Sequence, residues 1–181
     1  AFGNLSLAQN DLAYADVQDG NLVLSIKKDG DVYKTAGCIG TPSKMHYKYG
    51  YAEIRAKVPF GTATFPAFWA KSVNLGKGYL NEDEYGVEID IFEQHISTNT
   101  VASNIHKWVK DGETMTSDDL DISKPTANIT DTAAYHTYGF EWYEGIMKFY
   151  VDGECIGSYD YSTGSNPDIK DFDSEIYLIL D

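Results

Sequence analysis

Three observations predict an all-β protein, a sandwich of two antiparallel sheets. Short segments alternate apolar and polar residues with period two, turn-forming residues punctuate them, and no stretch keeps a helical period over about eleven residues. Asp19-Gly20-Asn21 turns into Leu22, Leu24 and Ile26, whose spacing by two fits one half-buried strand. Ala52, Ile54, Ala56 and Val58 alternate with Tyr51, Glu53, Arg55 and Lys57. Residues 101–108, 136–143, 146–151 and 175–180 read the same way, with Phe140 and Trp142 assigned to the core. Tyr143-Glu144-Gly145 before one strand and Asp152-Gly153 after it predict a hairpin and a tight return. In such a sandwich one face of each sheet is buried, and a curved sheet turns its wet face into a cleft.

Length and charge bound the function. The 181 residues, 43% hydrophobic and 14% aromatic, suffice for one folded core, and no linker or repeat marks a boundary, so one domain over residues 1–181 is expected. With 28 acidic against 14 basic side chains, the formal charge is -14. That charge repels nucleic-acid phosphates and anionic membrane surfaces, and disfavours sulfated or uronic-acid polymers; a neutral sugar polymer fits better. No apolar run approaches a membrane span, and Ala1-Phe2-Gly3-Asn4 has no signal-peptide pattern. Cys38 and Cys155 have no clustered metal-ligating neighbours; they allow at most one disulfide, with two thiols the first reading.

The chemistry concentrates in residues 85–95, where Glu88, Asp90 and Glu93 fall within six positions of an apolar strand. Val87, Ile89 and Ile91 alternate with Glu88 and Asp90, so the apolar set faces the core and the two acids face out. Glu93 breaks that parity: in a regular strand it would enter the core as an unpaired carboxylate, at a large desolvation cost. A β-bulge near Ile91 or Phe92 returns it to the side of Glu88 and Asp90, effectively four positions from Glu88. Two carboxyls on one concave face, one protonated and one ionised, are the machinery of glycosidic bond cleavage, and a close pair fits the retaining route. A calcium site and a solvated acidic strand are the alternatives, although calcium takes six to eight oxygens, usually from loops.

The run Glu88-Ile89-Asp90-Ile91-Phe92-Glu93 resembles the signature of glycoside hydrolase family 16, and its two-residue spacer resembles the bulged, laminarinase-like branch. Asp19 to Leu24, Tyr49 to Lys57, Pro66-Ala67-Phe68-Trp69, His136 to Trp142 and Phe149 to Gly153 extend the resemblance in order. It implies a concanavalin-like β-jelly-roll of two curved antiparallel sheets. It also implies a retaining endo-β-glycanase, secreted and monomeric, acting on β-1,3-glucan or mixed β-1,3/1,4-glucan. Glu88 is then the nucleophile, Asp90 its helper and Glu93 the general acid/base. Trp69 flanks the reacting sugar, His106 lies across from the acid strand, and Glu53 and Arg55 point into the cleft. No cofactor is implied for catalysis; a structural calcium ion on the convex face is compatible with the resemblance. A carbohydrate-binding protein without turnover and a transglycosylase are the competing readings. The chain departs from the family pattern at Phe65 and Val87, and residues 71–85 are expected to form an acidic rim loop. Because the chain ends at Asp181 inside a strand, the domain reads as trimmed at its carboxyl end.

Overall fold

A computed structural model of the chain describes residues 9–10, 12–35, 39–42, 44–60, 64–73, 75, 85–94, 99–111, 114–119, 124–162 and 174–181. Their strands, in chain order, are β1 (Gln9–Asn10), β2 (Ala15–Gln18), β3 (Asn21–Leu24), β4 (Ile26–Asp29), β5 (Val32–Thr35), β6 (Ile39–Gly40), β7 (Gly50–Ala56) and β8 (Ala67–Ser72). They continue with β9 (Tyr85–Gln94), β10 (Thr100–Asp111), β11 (Thr114–Asp119), β12 (Thr126–Asn128), β13 (His136–Tyr143), β14 (Ile146–Val151), β15 (Glu154–Asp160) and β16 (Ile176–Leu180). A three-residue 3-10 turn, Leu12–Tyr14, is the helical element among the described residues.

The chain forms two compact units, residues 1–40 with 180–181, and residues 41–179. In the smaller unit β2 and β3 make a hairpin whose turn residues Asp19 and Gly20 both have positive φ, 50° and 78°. Such a two-residue turn matches the right-handed twist of its strands. β4 pairs antiparallel with β5, and β1 adds to β5 in parallel. Here one expectation is corrected. The run Leu22, Leu24, Ile26 is not one half-buried strand, because Ser25 separates β3 from β4 and its N–H donates to Tyr14 O at 2.9 Å. The two pieces then pair with different partners, and Leu22 and Ile26 are exposed.

The larger unit contains two sheets. One has the order β11-β10-β9-β8-β16, with β12 also on β10; the other has the order β15-β14-β13-β7. They pack face to face through Phe92 of β9 and Tyr138 of β13, whose ring centroids lie 4.2 Å apart. Around that contact the first sheet buries Phe68, Ala70, Val87, Ile89, Val101 and Ile105. The second buries Phe140, Trp142, Met147, Phe149 and Val151. Each large apolar side chain removed from water stabilises the sandwich by about 1.5–3 kcal/mol. The alternation expected for residues 136–143 and 146–151 is therefore present, with Phe140 and Trp142 in the core and the predicted hairpin between them. β7 shows the same pattern: Ala52, Ile54 and Ala56 are half-buried, and Tyr51, Glu53 and Arg55 are exposed.

The bulge forced by the parity of Glu93 is present. Along β10 the pairing passes from Ala102↔Glu93 to Asn104↔Asp90, and along β8 from Phe68↔Phe92 to Trp69↔Asp90. On both flanks β9 therefore carries one residue more than its neighbour, and both assign the excess to the Ile91 region. Ile91 O accepts a hydrogen bond from buried Ser103 Oγ at 2.7 Å, so a carbonyl next to the irregularity has a partner away from water. At the start of β9, a Cβ on Gly86 would lie 2.6 Å from Leu75 Cβ and 2.9 Å from Ser72 Oγ, so only glycine lets these segments approach.

Cys155 is exposed and free, while Cys38 and residues 74 and 76–84 of the expected rim loop lie outside the described residues. Ser103→Ala removes the hydroxyl that bonds the buried Ile91 carbonyl, and is expected to lower unfolding free energy by about 0.5–1.5 kcal/mol in urea denaturation.

Candidate active site

The bulge decides which side chains meet. Residues paired across antiparallel strands share a face. Glu88, Asp90 and Glu93 pair with His106, Asn104 and Ala102 on β10, and with Lys71, Trp69 and Ala67 on β8. All three acids therefore project from the face of the sheet opposite Phe92 and the core. The five-residue step from Glu88 to Glu93 is matched by four residues on either neighbour, 106 to 102 and 71 to 67. The expected effective spacing of four positions is thus the observed one, and at the usual strand rise it corresponds to about 13 Å between Cα atoms.

Burial grades the acids. Asp90 is 3% exposed, whereas Glu88 and Glu93 are half-buried. The carboxylate of Asp90 is met by His106, whose Nε2 lies 2.9 Å from Asp90 Oδ2. Asn104 Nδ2 lies 3.0 Å from the same imidazole nitrogen. Only the Asn104 contact has hydrogen-bond geometry, so Nε2 accepts from the Asn104 amide and meets Asp90 Oδ2 through proximity alone. Burial first, then the neighbouring Asp90 charge, push the Glu88 carboxyl above the usual range; Lys71, His106 and the indole N–H of Trp108 pull it back. An acid strand under like-charge repulsion and desolvation, with cationic neighbours set against it, is the arrangement that divides proton-binding roles between carboxyls.

Glu88, Asp90 and His106 each bring a ligand atom within 4.8 Å of the others, so they form a three-donor set for a metal ion. Three donors fall short of a calcium cage. In number they equal the protein ligands of an open zinc site, but here the His106 nitrogen and the Asp90 oxygen are already in contact with each other.

Four expected site residues besides the acids divide evenly. Trp69 lies on the acid face opposite Asp90, half-buried, with Lys71 Nζ 5.6 Å from its ring centroid. His106 is on that face too, directly across from Glu88. Glu53 and Arg55 are not. They sit on β7 in the other sheet, and the inner face of β7 is carried by Ile54, which pairs with the core residue Tyr138. Glu53 and Arg55 therefore point to the opposite outer surface of the sandwich. There Glu53 Oε2 accepts from Tyr51 OH at 2.6 Å, and Arg55 lies 4.4 Å from the Tyr135 ring centroid. Alternation identified their face of the strand correctly, but it carries no information about which sheet the strand joins.

Two residues of the site escaped the sequence reading. Lys71 falls at the start of the expected rim loop, yet β8 runs to Ser72 and places Lys71 opposite Glu88. The continuing alternation Ala67, Trp69, Lys71 was the available signal. Trp108, two positions from His106 on β10, shares its face beside Glu88.

Residues 5–175 match the family described as Glycosyl hydrolases family 16. The chain is 28% identical over 153 residues to the endo-1,3-1,4-beta-glycanase EglC of Rhizobium meliloti (strain 1021), covering 80% of this chain and 30% of that protein. It is 29% identical over 189 residues to the glucan endo-1,3-beta-glucosidase A1 of Niallia circulans, covering 91% of this chain and 26% of that protein. The chain thus spans less than a third of the length of these curated relatives. Among solved structures, the laminarinase from Flavobacterium sp. UMI-01 superposes with a TM-score of 0.75 at 26% identity, covering 99% of this chain and 74% of that one. The expected jelly-roll class therefore holds.

A group whose folded-state proton affinity is raised destabilises the fold as it ionises. For Glu88 the penalty is absent below the unfolded value of about 4.3 and grows as pH rises through the higher folded value. Glu88→Gln is accordingly expected to melt above the unsubstituted chain at neutral pH in calorimetry, with the difference closing as pH falls toward about 4.

Proposed function

The chain belongs to glycosyl hydrolase family 16, and from that premise we propose that it is a retaining endo-β-glycanase cleaving internal linkages of β-1,3-glucan or mixed β-1,3/1,4-glucan. The observation that carries this reading is the Ile91 bulge, which puts Glu93 on the face of Glu88 and Asp90. The relatives named for endo-1,3- and endo-1,3-1,4-glucan cleavage support the substrate class.

The chain's own residues then act as follows. Glu88, ionised, attacks the anomeric carbon, while Glu93 gives its proton to the departing glycosidic oxygen. A covalent glycosyl ester on Glu88 results, and the shortened polymer leaves. Glu93, now a carboxylate, takes a proton from water, which attacks the same carbon from the side the leaving group vacated. Two inversions give net retention. Asp90, buried between the two and held by His106, exchanges proton density with Glu88 as that group loses its charge on ester formation and regains it on hydrolysis. Trp69 presents an aromatic surface for a pyranose ring beside the acids. The reaction needs no cofactor. A binding-only protein would gain nothing from three acids at such desolvation cost.

The test is release of reducing ends from laminarin, barley glucan, agarose and xyloglucan, with the anomer of the first product read by proton NMR. Release from the first two, with the β anomer appearing first, is expected. Glu88→Gln and Glu93→Gln are each expected to reduce the rate by roughly 10³-fold or more. Full activity in either variant overturns the assignment of that residue. Binding of the polymers with no product after long incubation overturns hydrolysis, and preferential transfer to added oligosaccharides in place of water identifies a transglycosylase.

A further inference from the structure

On the outer face of the sheet that holds β7, β13 and β14, turned away from the acids, Tyr51 is 55% exposed. Its side chain reaches across β13. A Cβ on Gly139 would lie 2.5 Å from Tyr51 Oη and 3.1 Å from Cζ, so only glycine at that position lets the phenol rest on the sheet. The hydroxyl donates to Glu53 Oε2 at 2.6 Å, and Glu53 pairs with Gly139, so the ring is held at that point. Tyr150, on the other side of Gly139, meets it at 72° with ring centroids 6.1 Å apart. The Tyr150 hydroxyl donates to Glu141 Oε2 at 2.8 Å, and Lys148 Nζ lies 3.3 Å from the same oxygen. Two aromatic rings set at a steep angle, each tied through its hydroxyl to a carboxylate, thus form a fixed corner on the outer surface.

The charges of this face balance. At the outward positions of β7, β13 and β14, Glu53 and Glu141 are matched by Arg55 and Lys148, in a chain whose formal charge is -14. A balanced face offers no field to a polyanion or a polycation. The outward positions of β7 and β13 hold no Leu, Ile, Val or Met, so the apolar surface there is aromatic, with carboxylates and cations at its edges. A pyranose ring has the matching chemistry. Its flat faces present C–H bonds to an aromatic ring, and its rim presents hydroxyls to carboxylate oxygens and cationic N–H donors. We propose that the corner formed by Tyr51 and Tyr150 is a second polysaccharide-binding site, on the sheet opposite the acids, and that it takes a segment of neutral β-glucan. The choice of β-glucan rests on the substrate reading above. Binding there involves no chemistry: it holds the polymer against the sandwich and so raises the effective concentration of further segments at the acid face.

The experiment is affinity electrophoresis through gels holding laminarin or barley glucan, in the Glu88→Gln background so that the polymer stays intact. Adding Tyr51→Ser is expected to weaken retention about tenfold, and Tyr51→Phe, which keeps the ring, to stay within about twofold. In the otherwise unsubstituted chain, Tyr51→Ser is expected to leave hydrolysis of a short β-glucan oligosaccharide unchanged. Retention unaltered by Tyr51→Ser, or weakened as much by phenylalanine as by serine, overturns the proposal. So does a loss of oligosaccharide hydrolysis that matches the loss of retention, because the substitution would then act through the fold or the acid face. An NMR titration of the Glu88→Gln chain with laminarin oligosaccharides needs no change on the outer surface. Shifts of the Glu53 and Gly139 amides are expected, and their absence overturns the site. Self-association in sedimentation velocity that Tyr51→Ser abolishes makes a second copy the occupant and overturns the glucan. Retention that depends on Tyr51 with no polymer cleaved by the unsubstituted chain supports the outer site, and the hydrolase reading alone fails. Cleavage with retention independent of Tyr51 overturns the outer site and leaves that reading intact.

Discussion

Everything on the acid face depends on one extra residue in β9. Without the irregularity at Ile91, a strand with Glu88 and Asp90 outward would drive Glu93 into the space that Phe92 fills against Tyr138. The bulge solves two problems with one device: it sends Phe92 into the core and Glu93 out to its fellow acids. Its cost is a locally broken ladder, and the hydroxyl of Ser103 meets the Ile91 carbonyl there. Ser103 belongs to the strand that also presents Asn104 and His106 to Asp90, so the support of the bulge and the support of the acid row come from adjacent residues of β10. Core packing and site geometry are consequently one constraint.

Around that row the neighbouring strands supply what the acids lack. Three carboxyls within six residues on one strand repel each other when ionised. β10 contributes His106 to Asp90 and Trp108 to Glu88, and β8 contributes Lys71. Each reaches the acids because antiparallel pairing places side chains of one parity on one face at fixed spacing. A strand-borne site of this kind is stiffer than one carried on loops, and stiffness suits the proposed double displacement, in which two carboxyls meet one sugar from set positions.

Local sequence carried most of the fold class and the acid cluster. Period-two alternation with Asp-Gly and Glu-Gly turns was sufficient for the β13–β14 hairpin, because its register and faces follow from neighbours in the chain. The bulge was legible for a physical reason: a buried, unpartnered carboxylate is so unfavourable that the parity of Glu93 allowed few other solutions. By itself the sequence determined that Glu88, Asp90 and Glu93 share a face and that the chain is a β sandwich of family 16 character. Only the tertiary structure decided the rest. Glu53 and Arg55, on a well-read alternating strand, point away from the acids because β7 joins the other sheet, and sheet membership depends on long-range pairing that no local pattern encodes. Leu22 and Ile26 are exposed because Ser25 breaks their run and each half finds a different partner. Lys71 looked like the start of a loop and instead faces Glu88, because the end of β8 is set by hydrogen bonding to β9, through a register that exists only once the two strands have met.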